Sequence, residues 1–128
     1  MANTSKQKGT VGETKAVKFM GSYGIKAKRK ALTGSNDCGD IDVFLSEFGL
    51  EDCIFEVKTG KQTANPNRSL LGEWLRQTRE ESENAHCRGF LLVLRYNRST
   101  KDADVWWDGS HGELHHMYFD DWCKRFST

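Results

Sequence analysis

Apolar and polar positions divide this chain into short elements. From Ile41 to about residue 46, and again over residues 52–58, side chains alternate with the period of two that marks a strand. Gly49 lies between the two runs and predicts a hairpin centred on it. Gly89-Phe90-Leu91-Leu92-Val93-Leu94-Arg95-Tyr96 is nearly continuous in its apolar character, which predicts a central strand buried on both faces. Residues 25–32 read as a first strand, basic on its exposed side, and Asp104-Val105-Trp106-Trp107 as another, with Trp106 and Trp107 on opposite faces. Helical spacing appears three times. Ala16, Val17 and Met20 predict a helix from Thr10, a plausible N-cap, to about Tyr23, ended by Gly21 and Gly24. Leu71, Trp74, Leu75 and Thr78 predict a second helix over residues 70–85, and residues 119–126 a short closing one. The small-residue stretch 33–39 is a loop, and residues 59–69, with the only proline, Pro66, form a mobile one. The order is α-β-β-β-α-β-β-α, an α/β (α+β) arrangement with a mixed sheet flanked by helices. Residues 1–8 are expected to be a disordered basic arm, and 9–128 a single domain.

Composition narrows the class. At 128 residues, 37% hydrophobic and with mean hydropathy -0.70, the chain suits one soluble domain. No apolar run approaches the roughly 20 residues of a membrane span, and the polar start is no signal peptide, so a cytoplasmic protein without a membrane partner is expected. Cys38, Cys53, Cys87 and Cys123 are scattered without zinc-module spacing and read as separate reduced thiols. His86 beside Cys87, and the pair His115-His116, do not alter that. Charge is asymmetric. Residues 1–34 hold eight Lys/Arg and one acid, +7, whereas the remainder holds 11 basic and 17 acidic residues, −6. Such clustering suits a surface facing a polyanion, with a solvated face as the plainer reading.

The hairpin carries the chemistry. With its turn centred on Gly49, Asp42 falls opposite Glu56 and Phe44 opposite Ile54, while Lys58 shares the face of Glu56. Facing carboxylates repel unless a cation sits between them, and a hard divalent ion would serve. Glu13 stands on the apolar stripe of the first helix. Two explanations are open at this point: Thr10-Val11-Gly12-Glu13 as a capping box, or delivery of a third carboxylate to the hairpin. Asp40 is an outer group or a strand-start residue. Lys58 would orient a water or stabilise charge on a phosphate, or else form a plain salt bridge to Glu56. Gln77 is an accessory candidate or a surface amide. Lys26, Lys28, Arg29 and Lys30 would contact phosphates, as would the following loop with Thr33, Ser35 and Asn36, whose composition is also that of an ordinary turn.

Together, Glu13, Gly39-Asp40-Ile41-Asp42 and Glu56-Val57-Lys58 resemble the PD-(D/E)xK nuclease superfamily. With Gly9-Thr10-Val11-Gly12-Glu13 and Thr33-Gly34-Ser35, the layout is similar to archaeal-type and phage-encoded Holliday junction resolvases over residues 8–96. The Glu-Val-Lys triplet is weak by itself; the combination is much more specific. The resemblance implies a restriction-endonuclease-like fold and a Mg²⁺- or Mn²⁺-dependent phosphodiesterase. Asp42, Glu56 and the Val57 carbonyl would hold the ion, Lys58 would assist the water, and Glu13 would complete the site. One departure is Ile41 in place of the proline before Asp42. The implied substrate is branched DNA and the implied assembly a homodimer, for which Trp106, Trp107, Met117, Phe119 and Trp122 are candidate interface residues, with core packing an equal explanation of them. Nicking, flap or restriction-like cleavage, a catalytically silent nucleic-acid-binding module, and a zinc adaptor are the alternatives.

Overall fold

The computed structural model describes residues 4–30 and 39–128. Six strands form one sheet in sequence order: β1 (Lys26–Arg29), β2 (Ile41–Phe44), β3 (Cys53–Lys58), β4 (Arg88–Val93), β5 (Asp104–Asp108) and β6 (Leu114–Tyr118). All neighbours are antiparallel except β3 and β4, which run parallel. That parallel pair needs a crossover, and helix α2 (Arg68–Ala85) supplies it. Helices α1 (Thr4–Gly21) and α3 (Phe119–Phe126) complete the chain.

The sheet separates two apolar layers. On one face, Ala16 and Met20 of α1 and Phe119, Trp122, Cys123 and Phe126 of α3 pack on Ile41, Val43, Phe55, Val57, Phe90, Leu92, Val105 and Trp107. The α3 residues recur at the helical spacing of one stripe. On the other face, Trp74 and Leu75 of α2 cover Leu91 and Val93, with Trp106 beside them. Alternation along the strands therefore decides which layer a side chain enters. Asp42, Glu56, Lys58 and Trp106 face α2, while Val57 and Trp107 face α1 and α3. The central run in β4 is buried on both sides, as its composition requires.

Four local expectations change. Helix α1 begins at Thr4, so it takes in residues assigned to a disordered arm and leaves Thr10 in a helix interior. A capping box needs its Ser or Thr outside the first turn, so Thr10 and Glu13 do not form one. Residues 59–69 are not loose: a 3-10 turn (Lys61–Thr63) is pinned by Thr63, whose buried hydroxyl donates to Gly60 O and lies 2.8 Å from Leu94 O. Helix α2 then starts two residues earlier than its apolar stripe implied, because Asn67 caps it by accepting from Leu70 N–H at 2.8 Å. Strand β6 was absent from the sequence reading. Its exposed, mixed residues carry little periodic signal, and pairing with β5 makes it a strand.

Candidate active site

The hairpin decides which acid meets Glu56. Ile41 pairs with Phe55, Asp42 with Ile54 and Val43 with Cys53, a register displaced by two residues from the expected one. The connection is responsible. A 3-10 turn (Ser46–Phe48) precedes Gly49, which is left-handed at φ 74°, and Asp52 Oδ1 accepts from Leu45 N–H at 3.0 Å. A displacement of two preserves every facing, so Glu56 and Lys58 stay on the expected side of the sheet. The partner changes: Asp40, not Asp42, stands level with Glu56.

Asp40 is held tightly for a residue at the end of a strand. Its N–H donates to Phe55 O at 2.9 Å, and its carbonyl accepts from Lys30 N–H at 2.9 Å. Its Oδ2 accepts from Val57 N–H at 2.8 Å, satisfying a β3 amide that β2 no longer reaches. Gly39 turns the chain into this position at φ 98°, and a Cβ there would press on Ile54 at 3.1 Å. Backbone groups alternate sides along a strand. Lys58 O accepts from Leu94 N–H on the β4 side, so the Val57 carbonyl turns towards Asp40.

On the α2 face, four side chains close a ring. Lys58 Nζ lies 3.1 Å from Glu56 Oε2 and donates to Gln77 Oε1 at 2.8 Å. Gln77 Nε2 donates to Glu81 Oε2 at 3.0 Å. Glu81 lies against Glu56 in turn, and both are buried, at 2% and 3% exposure. Burial is the first cause, and the neighbouring Glu81 the second, of a Glu56 pKa raised to about 8; Lys58 and Asp40 oppose the rise. Glu56 Oε1 is buried and without a hydrogen-bond partner. From the opposite face, α1 delivers Glu13. It pairs with Arg29 at 3.2 Å, and burial, followed by the charge of Asp40, raises its pKa. Gly12 permits that approach, since a Cβ there would stand 2.5 Å from Thr59 Cγ2. Glu13, Asp40, Glu56 and Lys58 thus gather from α1, the start of β2 and the end of β3.

Comparison with solved structures places this fold. The 1.6 Å structure of Hjc from Archaeoglobus fulgidus, a Holliday junction resolvase from an archaeal hyperthermophile, superposes with a TM-score of 0.54. It is 15% identical, and the match covers 85% of this chain and 87% of that one. The chain has the Holliday junction resolvase fold. No protein-family model matches the sequence, and no curated protein matches it.

Within this resolvase fold, the other candidates fall into place unevenly. Asp42 lies two residues from the gathered acids, opposite Lys28 and 3.3 Å from Lys30 Nζ. Lys26 and Lys28 are exposed on the α2 face of the edge strand, beyond the cover of the helix, whereas Arg29 turns to the other face and Glu13. Lys26 pairs with Glu47 at 2.7 Å. Thr33 and Ser35 lie outside the described residues. Glu81 went unrecognised in the sequence, although a signal existed: it continues the stripe Leu71, Trp74, Leu75, Thr78 by one turn, and a carboxylate on such a stripe needs a reason. Phe119 and Trp122 are wholly buried and Trp107 nearly so, which makes them core of their own chain rather than interface residues. Among the described residues no three acidic, His or Cys side chains form a group that could hold a metal by themselves. The oxygen-only set of Asp40, Glu56 and the Val57 carbonyl nonetheless fits a hard cation that keeps several waters, as Mg²⁺ does. The partnerless buried Glu56 Oε1 is an atom such an ion would satisfy.

Proposed function

We propose that this protein is a Mg²⁺- or Mn²⁺-dependent DNA endonuclease acting on branched DNA, in the manner of a Holliday junction resolvase. The observation that carries this reading is the meeting of Glu13, Asp40, Glu56 and Lys58 at one end of β3, with Glu56 buried and one of its oxygens unsatisfied. Asp40, Glu56 and the Val57 carbonyl would hold the ion, with Asp40 in the role that the expected hairpin register gives to Asp42. When bound, the ion lowers the pKa of a water and neutralises charge on the scissile phosphate. Lys58, steadied by Gln77, releases Glu56 and turns its ammonium to the attacking water or the developing phosphorane charge. Glu81 keeps Gln77 in place. Glu13, restrained by Arg29, contributes a further carboxylate beside Asp40. The basic edge strand, Lys26 and Lys28 with Lys30 behind them, lies along the path of the duplex. A homodimer would supply two such sites for paired cuts.

The test is cleavage of a labelled four-way junction beside a matched linear duplex, with Mg²⁺, Mn²⁺ or EDTA, for wild type and Glu56→Ala. Paired metal-dependent nicks in the junction alone, lost in the variant, are expected. Cleavage of both substrates would leave an endonuclease of broader range. Binding without cleavage under any metal would reduce the protein to a silent DNA-binding module.

A further inference from the structure

A second feature opens beside the gathered acids. A groove of about 510 Å³ runs between the middle of α1, the residues after β3 and the β4–β5 connection. It adjoins the site through the chain itself, because Gly12 precedes Glu13 and Thr59 follows Lys58, and both line it. Its charged lining is entirely basic among the described residues: Lys15, Arg95 and Arg98, with no Asp or Glu. Arg95 is already committed, gripping Asp104 at 2.7 and 3.1 Å. Lys15 and Arg98 enter no ion pair among the described residues and are exposed. Tyr96 lines the same groove, 39% exposed, an aromatic ring left in solvent on the β4–β5 connection. Leu94 forms part of the floor.

Two cations and an open aromatic ring in one groove make a surface for a single nucleic-acid strand: phosphates meet the cations, and a base stacks on the ring. A small anion would use the cations and have no need of the ring. We propose that this groove holds the DNA strand adjoining the scissile phosphate, with its backbone on Lys15 and Arg98 and one base on Tyr96. The inference rests on the nuclease reading above and assigns to it a strand path distinct from the basic edge β1.

The test is fluorescence anisotropy of a labelled four-way junction with the wild-type chain in EDTA, across a salt series, against Lys15→Ala, Arg98→Ala and Tyr96→Ala. Each lysine or arginine variant should lower the slope of log K against log salt by about one. Tyr96→Ala should weaken binding by about tenfold at an unchanged slope. Irradiation of the complex with 5-iodouracil placed next to the cleavage point should crosslink Tyr96. Wild-type binding with unaltered affinity and slope in all three variants, or crosslinks confined to other residues, would overturn the groove and leave the cleavage reading intact. A wild-type chain that bound no DNA would overturn both.

Discussion

At the scale of single residues, the distinction between Asp40 and Asp42 is the sharpest consequence of the structure. Either carboxylate could face Glu56 across the hairpin, but only Asp40 is level with it and bonded to the Val57 amide. Asp40→Asn should reduce single-turnover cleavage by at least about 10²-fold, since losses of 10–100-fold already follow from disturbing groups that merely support a metal ligand. Asp42→Asn should stay within about threefold of wild type on the same scale; the reverse ranking would sink the assignment. Glu56 makes a second prediction. An unperturbed glutamate titrates at 4.5 and folded Glu56 at about 8. Between these values the native state keeps a proton that the unfolded chain has released, so this contribution is complete below 4.5 and is lost as the pH rises through 8. In EDTA, the urea midpoint should therefore be higher near about pH 6 than near about pH 9, with the difference diminished in Glu56→Gln. Equal midpoints in wild type would mean that Glu56 is ionised throughout. Both residues are named from the sequence, and the observed register sets Asp40 level with Glu56 where a hairpin centred on Gly49 sets Asp42. A single residue's displacement of the hairpin centre away from Gly49 exchanges one acid for the other.

At the scale of elements, helix starts separate local signals from tertiary ones. Asn67 accepts from Leu70 N–H and caps α2, so Asn67→Ala should cost about 1 kcal/mol in chemical denaturation. Thr10 lies within α1, where alanine is the better helix former, so Thr10→Ala should leave stability unchanged or slightly raised; a loss comparable to that of Asn67→Ala would restore the capping box. The stripe of α2 was legible in its apolar half and overlooked in its polar one. Glu81 occupies a buried position that sequence periodicity assigns to the core, and only the approach of β3 reveals that Glu56 is its neighbour. Strand β6 was illegible for a different reason. Leu114, Tyr118 and the histidines between them are largely solvent-facing, and the hairpin with β5 supplies their order. Its residue His116 also meets the buried Asp104 at 2.8 Å, joining Arg95 in satisfying that carboxylate.

At the scale of the whole molecule, the sheet places chemistry and charge at one end and one edge. Helix α2 covers β3 and β4, so Lys26 and Lys28 on β1 are left open on the same face as Glu56 and Lys58. Lys28→Ala should weaken DNA binding across sequences and lower the salt slope by about one, whereas Arg29→Ala should act mainly on cleavage, because Arg29 is engaged with Glu13 on the other face. An unchanged slope for Lys28→Ala would remove the edge strand from the contact surface. Alternation and helical spacing by themselves determined the three helices, five of the six strands and the facing of each side chain on β3. These are local properties, since period and side-chain direction follow from backbone geometry within a few residues. The tertiary structure decided that Asp40 stands beside Glu56, that Glu13 comes near Asp40 from the opposite layer, and that Glu81 closes the ring. Those outcomes depend on turn length, on the close approach allowed at Gly12 and on the crossover of α2, where contacts between residues far apart in the chain set the geometry.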